Sequence, residues 1–469
     1  MNKIVRMNHP PIGPSPIRRL SAEVLSEIFV SCLEKRTRSN SIRNCPLTLC
    51  RVCSSWRLVA LHTPRLWSTL RVDLYRVSTS LTEEALAKHL SNWLNRSGTL
   101  PLRLSLNYYK IQQQKQGVDS FCNATLTVFG AFASRWQKVN IILGYEDVEA
   151  MLNRFPSPVH APLLRSLSFW GKEYDQPIPP AFSFPALTKL AWTSKCLALF
   201  KSNISWHLLT NVKISIGYSF STALEVIQLC PNVIHYHVRF IEADYGHTVE
   251  LEHGTPILNQ SIRHLDLTFK SLCISFFSRL ILPALSHLSL ENEKFSGDGE
   301  THPHEAEILG LFSRSRCDLK VLELHNVGFS VHMLIKHESC QTLQKLSCRS
   351  SFTPVIDDET LTDLTRIPGK DYSLCPFLED FEVESPTDLT PGLLGSMILS
   401  RCSCSENAGE MLRNVEICTF HSELSKEDEN LLNEVDRSAC YISMRYLNCR
   451  TMRYETESFD RYLEDEDER

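Results

Sequence analysis

The sequence predicts an α+β chain, a small all-helical N-terminal unit followed by an irregular α/β solenoid of short repeats. Three observations lead there. Apolar residues recur at three- and four-residue spacing up to about residue 97, a strand-like triplet then recurs eleven times, and 469 residues exceed what one compact core of ordinary size accommodates.

The proline-rich residues 1–16 cannot hold a regular helix and are expected to form a flexible arm. From Ser21, a suitable cap, SAEVLSEIFVSCLEK places Val24, Leu25, Ile28, Phe29, Cys32 and Leu33 on one helical stripe, with Glu23 in the first turn. A second helix is expected from Pro46, carrying Leu49, Val52, Cys53, Trp56, Val59 and Ala60 and ending at Pro64. LTEEALAKHLSNWLNRSG then reads as a third amphipathic helix, with Gly98 just past its end. The implied organisation is an arm over 1–16, a helical domain over 17–75, a linking helix over 76–100, a solenoid over 101–420, and a C-terminal helix with an acidic tail over 421–469.

Beyond residue 100 the pattern apolar-x-x-apolar-x-apolar recurs. Clear copies are Leu164/Leu167/Phe169, Leu187/Leu190/Trp192, Leu209/Val212/Ile214, Ile262/Leu265/Leu267, Leu285/Leu288/Leu290 and Leu319/Leu322/Leu324. Weaker ones centre on Val139, Tyr236, Leu346, Phe381 and Val415. The eleven central positions lie 22 to 35 residues apart. Each copy predicts a short strand whose alternate side chains point inward, its first apolar residue filling the turn that leads in. STALEVIQLC and HEAEILGLFSRS have the helical spacing of an outer layer.

A net charge of -5 gives no electrostatic reason to expect nucleic acid or anionic lipid, and no stretch has the length of a membrane span. The 17 cysteines are scattered and odd in number, which fits reduced, buried thiols in the cytoplasm or nucleus. Cys50 and Cys53 form a C-x-x-C pair, but no second pair completes a four-ligand zinc site: Cys402 and Cys404 have the wrong spacing, and His235 and His237 lie on one strand. No phosphate-binding loop, dinucleotide fingerprint or H-E-x-x-H occurs, and GYSFS lacks the last glycine of a nucleophile elbow. Catalytic, cofactor and metal residues are therefore expected to be none.

Taken together, RRLSAEVLSEIFVSCL and PLTLCRVCSSWRLVALHTPRLW resemble the F-box, most closely the F-box-like proteins abundant in fungi. The matching residues are Leu20, Glu23, Val24, Ile28, Phe29 and Leu33, then Leu49, Val52, Cys53, Trp56, Arg57, Ala60, Leu66 and Trp67. Ser21 stands where that family usually has proline, and the loop between the halves is longer. The repeats in turn resemble leucine-rich repeats. Where that family often has Asn or Cys after the strand, this chain has Lys172, Lys270, Glu293 and Val327, so an irregular coil is expected.

The resemblance implies a non-catalytic substrate-recognition subunit of a Skp-cullin-F-box type ubiquitin ligase. The helices would dock on the Skp-type adaptor of the cullin complex, and the repeats would hold a protein substrate whose identity the sequence does not carry. The adaptor-binding residues it implies are Leu20, Ile28, Phe29, Leu33, Val52, Cys53 and Trp56, with Val52 and Trp56 weighted toward the helical core. The alternative is a non-ligase interaction scaffold in which the F-box-like helices cap the solenoid, since any solenoid needs its end covered. Polar and aromatic side chains between the strand leucines, among them Ser168, Trp170, His264, Asp266, His287, Ser289, Glu323, His325 and Arg349, are expected on the open sheet face.

Overall fold

The computed structural model describes residues 16–34, 46–74, 81–108, 118–143, 159–170, 182–193, 203–216, 220–240, 255–269, 274–292, 304–350, 355–367, 374–384, 389–402, 411–419 and 424–446. The expected arm before Pro16, the acidic tail, and Lys172, Lys270 and Glu293 lie outside the described residues. The chain divides into two compact units, Met1–Leu209 and Thr210–Arg469.

The strands of the first unit are β1 (Thr69–Asp73), β2 (Leu102–Tyr108), β3 (Trp136–Leu143), β4 (Val159–His160), β5 (Ser166–Trp170), β6 (Phe182–Phe184), β7 (Lys189–Thr193) and β8 (Asn203–Ile204). β1, β2, β3, β5 and β7 pair in that order, all parallel, and β4, β6 and β8 form a second short parallel sheet. The second unit holds β9 (Asn211–Ile216), β10 (His235–Phe240), β11 (Ile257–Leu258), β12 (His264–Phe269), β13 (Leu280–Ile281), β14 (His287–Asn292), β15 (Val321–His325), β16 (Lys345–Arg349), β17 (Asp380–Glu384), β18 (Asn414–Thr419) and β19 (Tyr441–Tyr446). Apart from the small β11–β13 pair, these are parallel neighbours in chain order. Each unit is thus a mixed α/β stack of solenoid type.

All eleven triplets are strands of these sheets. Their two strand residues lie in register with those of the next coil, as in Leu265↔Leu288 and Leu267↔Leu290, and point into the core. The first apolar residue is buried in the turn ahead of the strand, where its N–H bonds the carbonyl three residues back, as for Leu164 to Ala161, Val233 to Cys230 and Leu378 to Cys375. The next carbonyl then joins coil to coil. Ile234 O accepts from both Arg263 N and His264 N (2.9 and 3.0 Å), Arg263 O from Ser286 and His287 (2.9 Å each), Ser286 O from Lys320 and Val321 (2.8 and 3.0 Å), and the ladder continues through Lys320, Gln344 and Glu379 to Asn414.

The sheets extend past the expected solenoid limits of 101 and 420. β1 lies inside the segment assigned to the helical domain and pairs with β2, and β19 follows the C-terminal helix Lys426–Glu434. The expected second helix from Pro46 is also two elements, a 3-10 turn Leu49–Arg51 and the helix Ser54–Leu61. Cys53 between them is extended, its Sγ accepting from Trp56 N at 3.4 Å, while Arg57 Nε donates to Cys50 O at 2.7 Å. Cys50 and Cys53 therefore do not share a helix face. A capping thiol holds the break open.

Residues 54–73 are built like residues 118–143. In each, a helix (Ser54–Leu61; Val118–Ala131) leads through a 3-10 turn (Pro64–Trp67; Ala133–Arg135) to a tryptophan three residues ahead of the first inward strand residue. Trp67 Nε1 donates to Ala60 O at 2.8 Å, and Trp136 Nε1 to Phe129 O at 3.0 Å, both seven residues back. Trp67 is also fully buried in the helical core with Leu25, Phe29, Val30, Leu49, Ala60 and Leu66. Trp93, on the helix Glu83–Arg96, meets it edge-on at 4.9 Å, and the Arg96 guanidinium lies 4.6 Å over its ring. The helices of residues 22–67 are thus continuous with the first coil.

The irregularity expected from the missing Asn/Cys positions falls on the connections. They range from the twelve-residue helix His304–Ser315 to the three-residue turn Trp206–Leu208, while the sheet register of the second unit is unbroken. Arginines satisfy carbonyls that the helices leave open. Arg135 bonds Leu100 O, Arg314 bonds Phe277 O, and Arg401, fully buried, donates to Leu364 O (2.6 Å), Cys375 O (3.0 Å) and Leu374 O (2.5 Å).

Arg401→Met would leave three interior carbonyls without donors. We expect a loss of roughly 3–5 kcal/mol of unfolding free energy in urea titration, with Arg401→Lys intermediate because an ammonium reaches fewer of them.

Candidate functional site

Two surfaces combine exposure with chemistry. The first is the outer side of the helix Ala22–Glu34, which starts where Ser21 Oγ accepts from Val24 N. The expected single stripe splits in two. Leu25 and Phe29 enter the core, whereas Val24 and Ile28, one turn apart, remain 47% and 40% exposed, and Leu20, in the bend ahead of the helix, 38%. Glu23, Glu27, Ser31 and Cys32 flank Val24 and Ile28 in a shallow cleft. Glu27 accepts both 3.0 Å bonds of an exposed ion pair from Arg65.

Of the residues expected to meet an adaptor, Ile28 stands on this helix side and Leu20 is exposed in the bend ahead of it. Phe29 is not, being 1% exposed with its ring 4.9 Å from that of Trp56. Trp56 packs against the core, and Cys53 is exposed but engaged as a cap. Val52, weighted toward the core, is instead 55% exposed, because the chain turns extended at Cys53. The side chain of Leu33 lies outside the described residues. Val24 and Leu58 (62% exposed) are further exposed apolar residues of this unit outside the expected set, and the i, i+4 spacing of Val24 and Ile28 marks the first in the sequence.

The second surface is the open face of the second unit's sheet. Alternation puts one row of side chains side by side: Lys213, His237, Asp266, Ser289, Glu323, Ser347, Glu382 and Glu416. Beside it, His235 stacks on His264 at 4.1 Å, and His264 meets the tilted ring of His287 at 5.0 Å. His264, Asp266, His287, Ser289, Glu323, His325 and Arg349 all belong to this face. Ser168 and Trp170 lie on β5, in the other unit.

Charges here are held half out of water. Asp266 lies 3.9 Å from His237 and 3.8 Å from His287, and burial pushes its carboxyl up to about 6. Burial pulls Lys213 down to about 8 and His325 to about 4, and drives His237 well below the usual imidazole range, with the Lys213 and Arg239 charges adding to the effect. Glu323 goes the other way. Burial would raise it, but hydrogen bonds and charge from His287 and Lys345 outweigh that and hold it well below the carboxylate range. Farther along, Glu382 is buried between Ser347 (2.9 Å) and Arg349, and Glu416 pairs with Arg445 at 3.2 Å.

Ser313 and His337 are 3.1 Å apart but do not form a nucleophile–base pair. The His337 Nδ1 accepts from Ser339 N, so its Nε2 carries the proton and donates to Ser313 Oγ, whose own proton goes to Leu309 O. Among the described residues no group of three or more His, Cys, Asp and Glu side chains is arranged to hold a metal ion, and no helix is long and apolar enough to cross a membrane.

The sign of the Asp266 effect is fixed by its direction. A carboxyl raised from 3.8 unfolded to about 6 folded binds more protons in the folded state, so its cost grows from about pH 4 and is complete above about pH 6. Asp266→Asn is therefore expected to stabilise the chain by about 1–3 kcal/mol at pH 7.5 and by nothing measurable at pH 4, read from urea midpoints at the two pH values.

No protein-family model matches the chain, and no curated protein does. Among solved structures, a Bacteroides fragilis protein determined as a structural-genomics target is similar, at 11% identity and a TM-score of 0.31, over 75% of this chain and 76% of that one. At that TM-score the likeness carries no argument.

Proposed function

We propose that the chain is a non-catalytic substrate-recognition subunit of a Skp-cullin-F-box type ubiquitin ligase. Its N-terminal helices dock on the Skp-type adaptor, and its leucine-rich-repeat-like coils hold a protein substrate. The observation that carries this reading is the exposed aliphatic pair Val24 and Ile28 on a helix whose opposite side is already buried, with Leu20 exposed in the bend ahead of it. Such a surface fits a partner helix or groove. The F-box-like residues Val24 and Ile28 form this exposed side, while Phe29, Trp56, Leu66 and Trp67 build the core behind it. Ubiquitin transfer would then gain from proximity alone, the substrate being held near a loaded enzyme. The reading places the chain in the cytoplasm or nucleus, in keeping with its free thiols.

A second reading has its own support. The Trp67, Trp93 and Arg96 packing joins the helices to the first coil as an end cap requires, which favours a non-ligase scaffold.

Co-purification of the full chain with a Skp-type adaptor separates the two. Val24→Asp/Ile28→Asp should weaken capture at least tenfold with a melting temperature within about 2 °C of the parent, as both side chains are exposed. Phe29→Asp serves as the unfolding control. Failure of the parent chain to bind would leave only the cap.

A further inference from the structure

We propose that the open face of the second unit's sheet binds an extended peptide laid across its strands, with an acidic residue over β9–β12 and a basic residue over β17–β18. This rests on the reading of the coils as the partner-holding half of the molecule, and deepens it by naming the chemistry of what is held.

Charge is sorted along the face in chain order. On β9, β10 and β12 the open positions include Lys213 and Arg239 as fixed cations, with His235, His237 and His264, against the single carboxylate of Asp266. On β17 and β18 they include Asp380, Glu382, Glu384 and Glu416; Glu382 pairs with Arg349 of β16 and Glu416 with Arg445 of β19, and four carboxylates against these two arginines leave this end net negative. Between them, Glu323 is matched by Lys345 and His287, so the middle strands contribute little net charge. A ligand with charge at one end only would meet one half of this surface. One with both signs in the right order meets all of it.

The site is also partly dry. Glu382 is 7% exposed, and Lys213, His237, Asp266 and Glu384 are half-buried. Burial lowers Lys213 and raises Glu384, so each charge is held at a cost that an opposite charge brought by a ligand would relieve.

Strand spacing sets the length. Arg239 on β10 and Glu384 on β17 are five strands apart, and Lys213 on β9 and Glu416 on β18 seven. At about 4.8 Å per strand these spans are roughly 24 and 34 Å, which an extended chain covers in about seven to ten residues. The partner is thus a protein segment with Asp or Glu at one end and Lys or Arg about seven to ten positions away.

The probe is a phage-displayed library of random dodecapeptides panned on the full-length chain, followed by fluorescence anisotropy of the synthesised consensus. Enriched peptides should pair an acidic with a basic residue at that spacing and in one order. Lys213→Gln/Arg239→Gln and, separately, Glu384→Gln/Glu416→Gln should each weaken the consensus at least tenfold, with circular dichroism unchanged. Absence of enrichment, a consensus without the spacing, or binding untouched by both variant pairs would overturn the proposal. Adaptor co-purification with the same variants is expected to be unaffected, so a failure here is distinct from a failure of docking through Leu20, Val24 and Ile28.

Discussion

Each coil of the second unit is joined to the one before it by a parallel strand ladder, and ahead of most of these ladders one peptide carbonyl receives two donors of the incoming strand. Ile234 O holds both Arg263 N and His264 N, and the same two-donor grip repeats through Arg263, Ser286, Lys320, Gln344 and Glu379. Two donors on one acceptor fix where the incoming strand begins, and the ladder and the buried apolar pairs that follow keep its register. The side chains need only be apolar at two alternating positions and at the turn ahead. Coils as different as Leu319/Leu322/Leu324 and Leu378/Phe381/Val383 can therefore stack, and connections of very different length are tolerated outside the grip.

This division explains what could be read in advance. The eleven triplets were legible because burial demands apolar residues at fixed offsets. Three longer strands, β1, β2 and β19, were not, nor were the two- and three-residue strands β4, β6, β8, β11 and β13. Ahead of β2 and β19 the turn position holds Pro101 and Ala439, too small or too rigid to register as a large apolar residue. Ahead of β1 it holds Trp67, which was already assigned to the helical unit. Among site residues, helical spacing located the apolar side of the helix Ala22–Glu34 but not its division. Adjacent positions such as Ile28 and Phe29 are about 100° apart on a helix, and only the packed neighbours decide which one turns inward. Val52 was misplaced because a cysteine capping through sulfur leaves little trace in a pattern that otherwise reads as one helix.

The open sheet face runs against the economy of the rest. A row of hydroxyls and amides would satisfy the same backbone, yet this chain keeps lysine, histidine and carboxylates there, several displaced from their ordinary ionisation by burial. Residues that cost stability in this way are more at home in recognition than in support. The arginine staples, Arg135, Arg314 and Arg401, also bury or half-bury charge, but each spends it on a carbonyl that a helix or turn leaves open.

Trp67 belongs to two structures at once, since its ring completes the core beneath the helix Ala22–Glu34 and its place in the chain is the turn ahead of β1. Opening of that core and release of the first strand are consequently one event. A protein gripping the outer side of the helix would slow amide exchange along β1 and β2, residues it never touches, because it stabilises the closed state they share. Any partner bound at that helix would thus be thermodynamically linked to the integrity of the first coil through one indole ring.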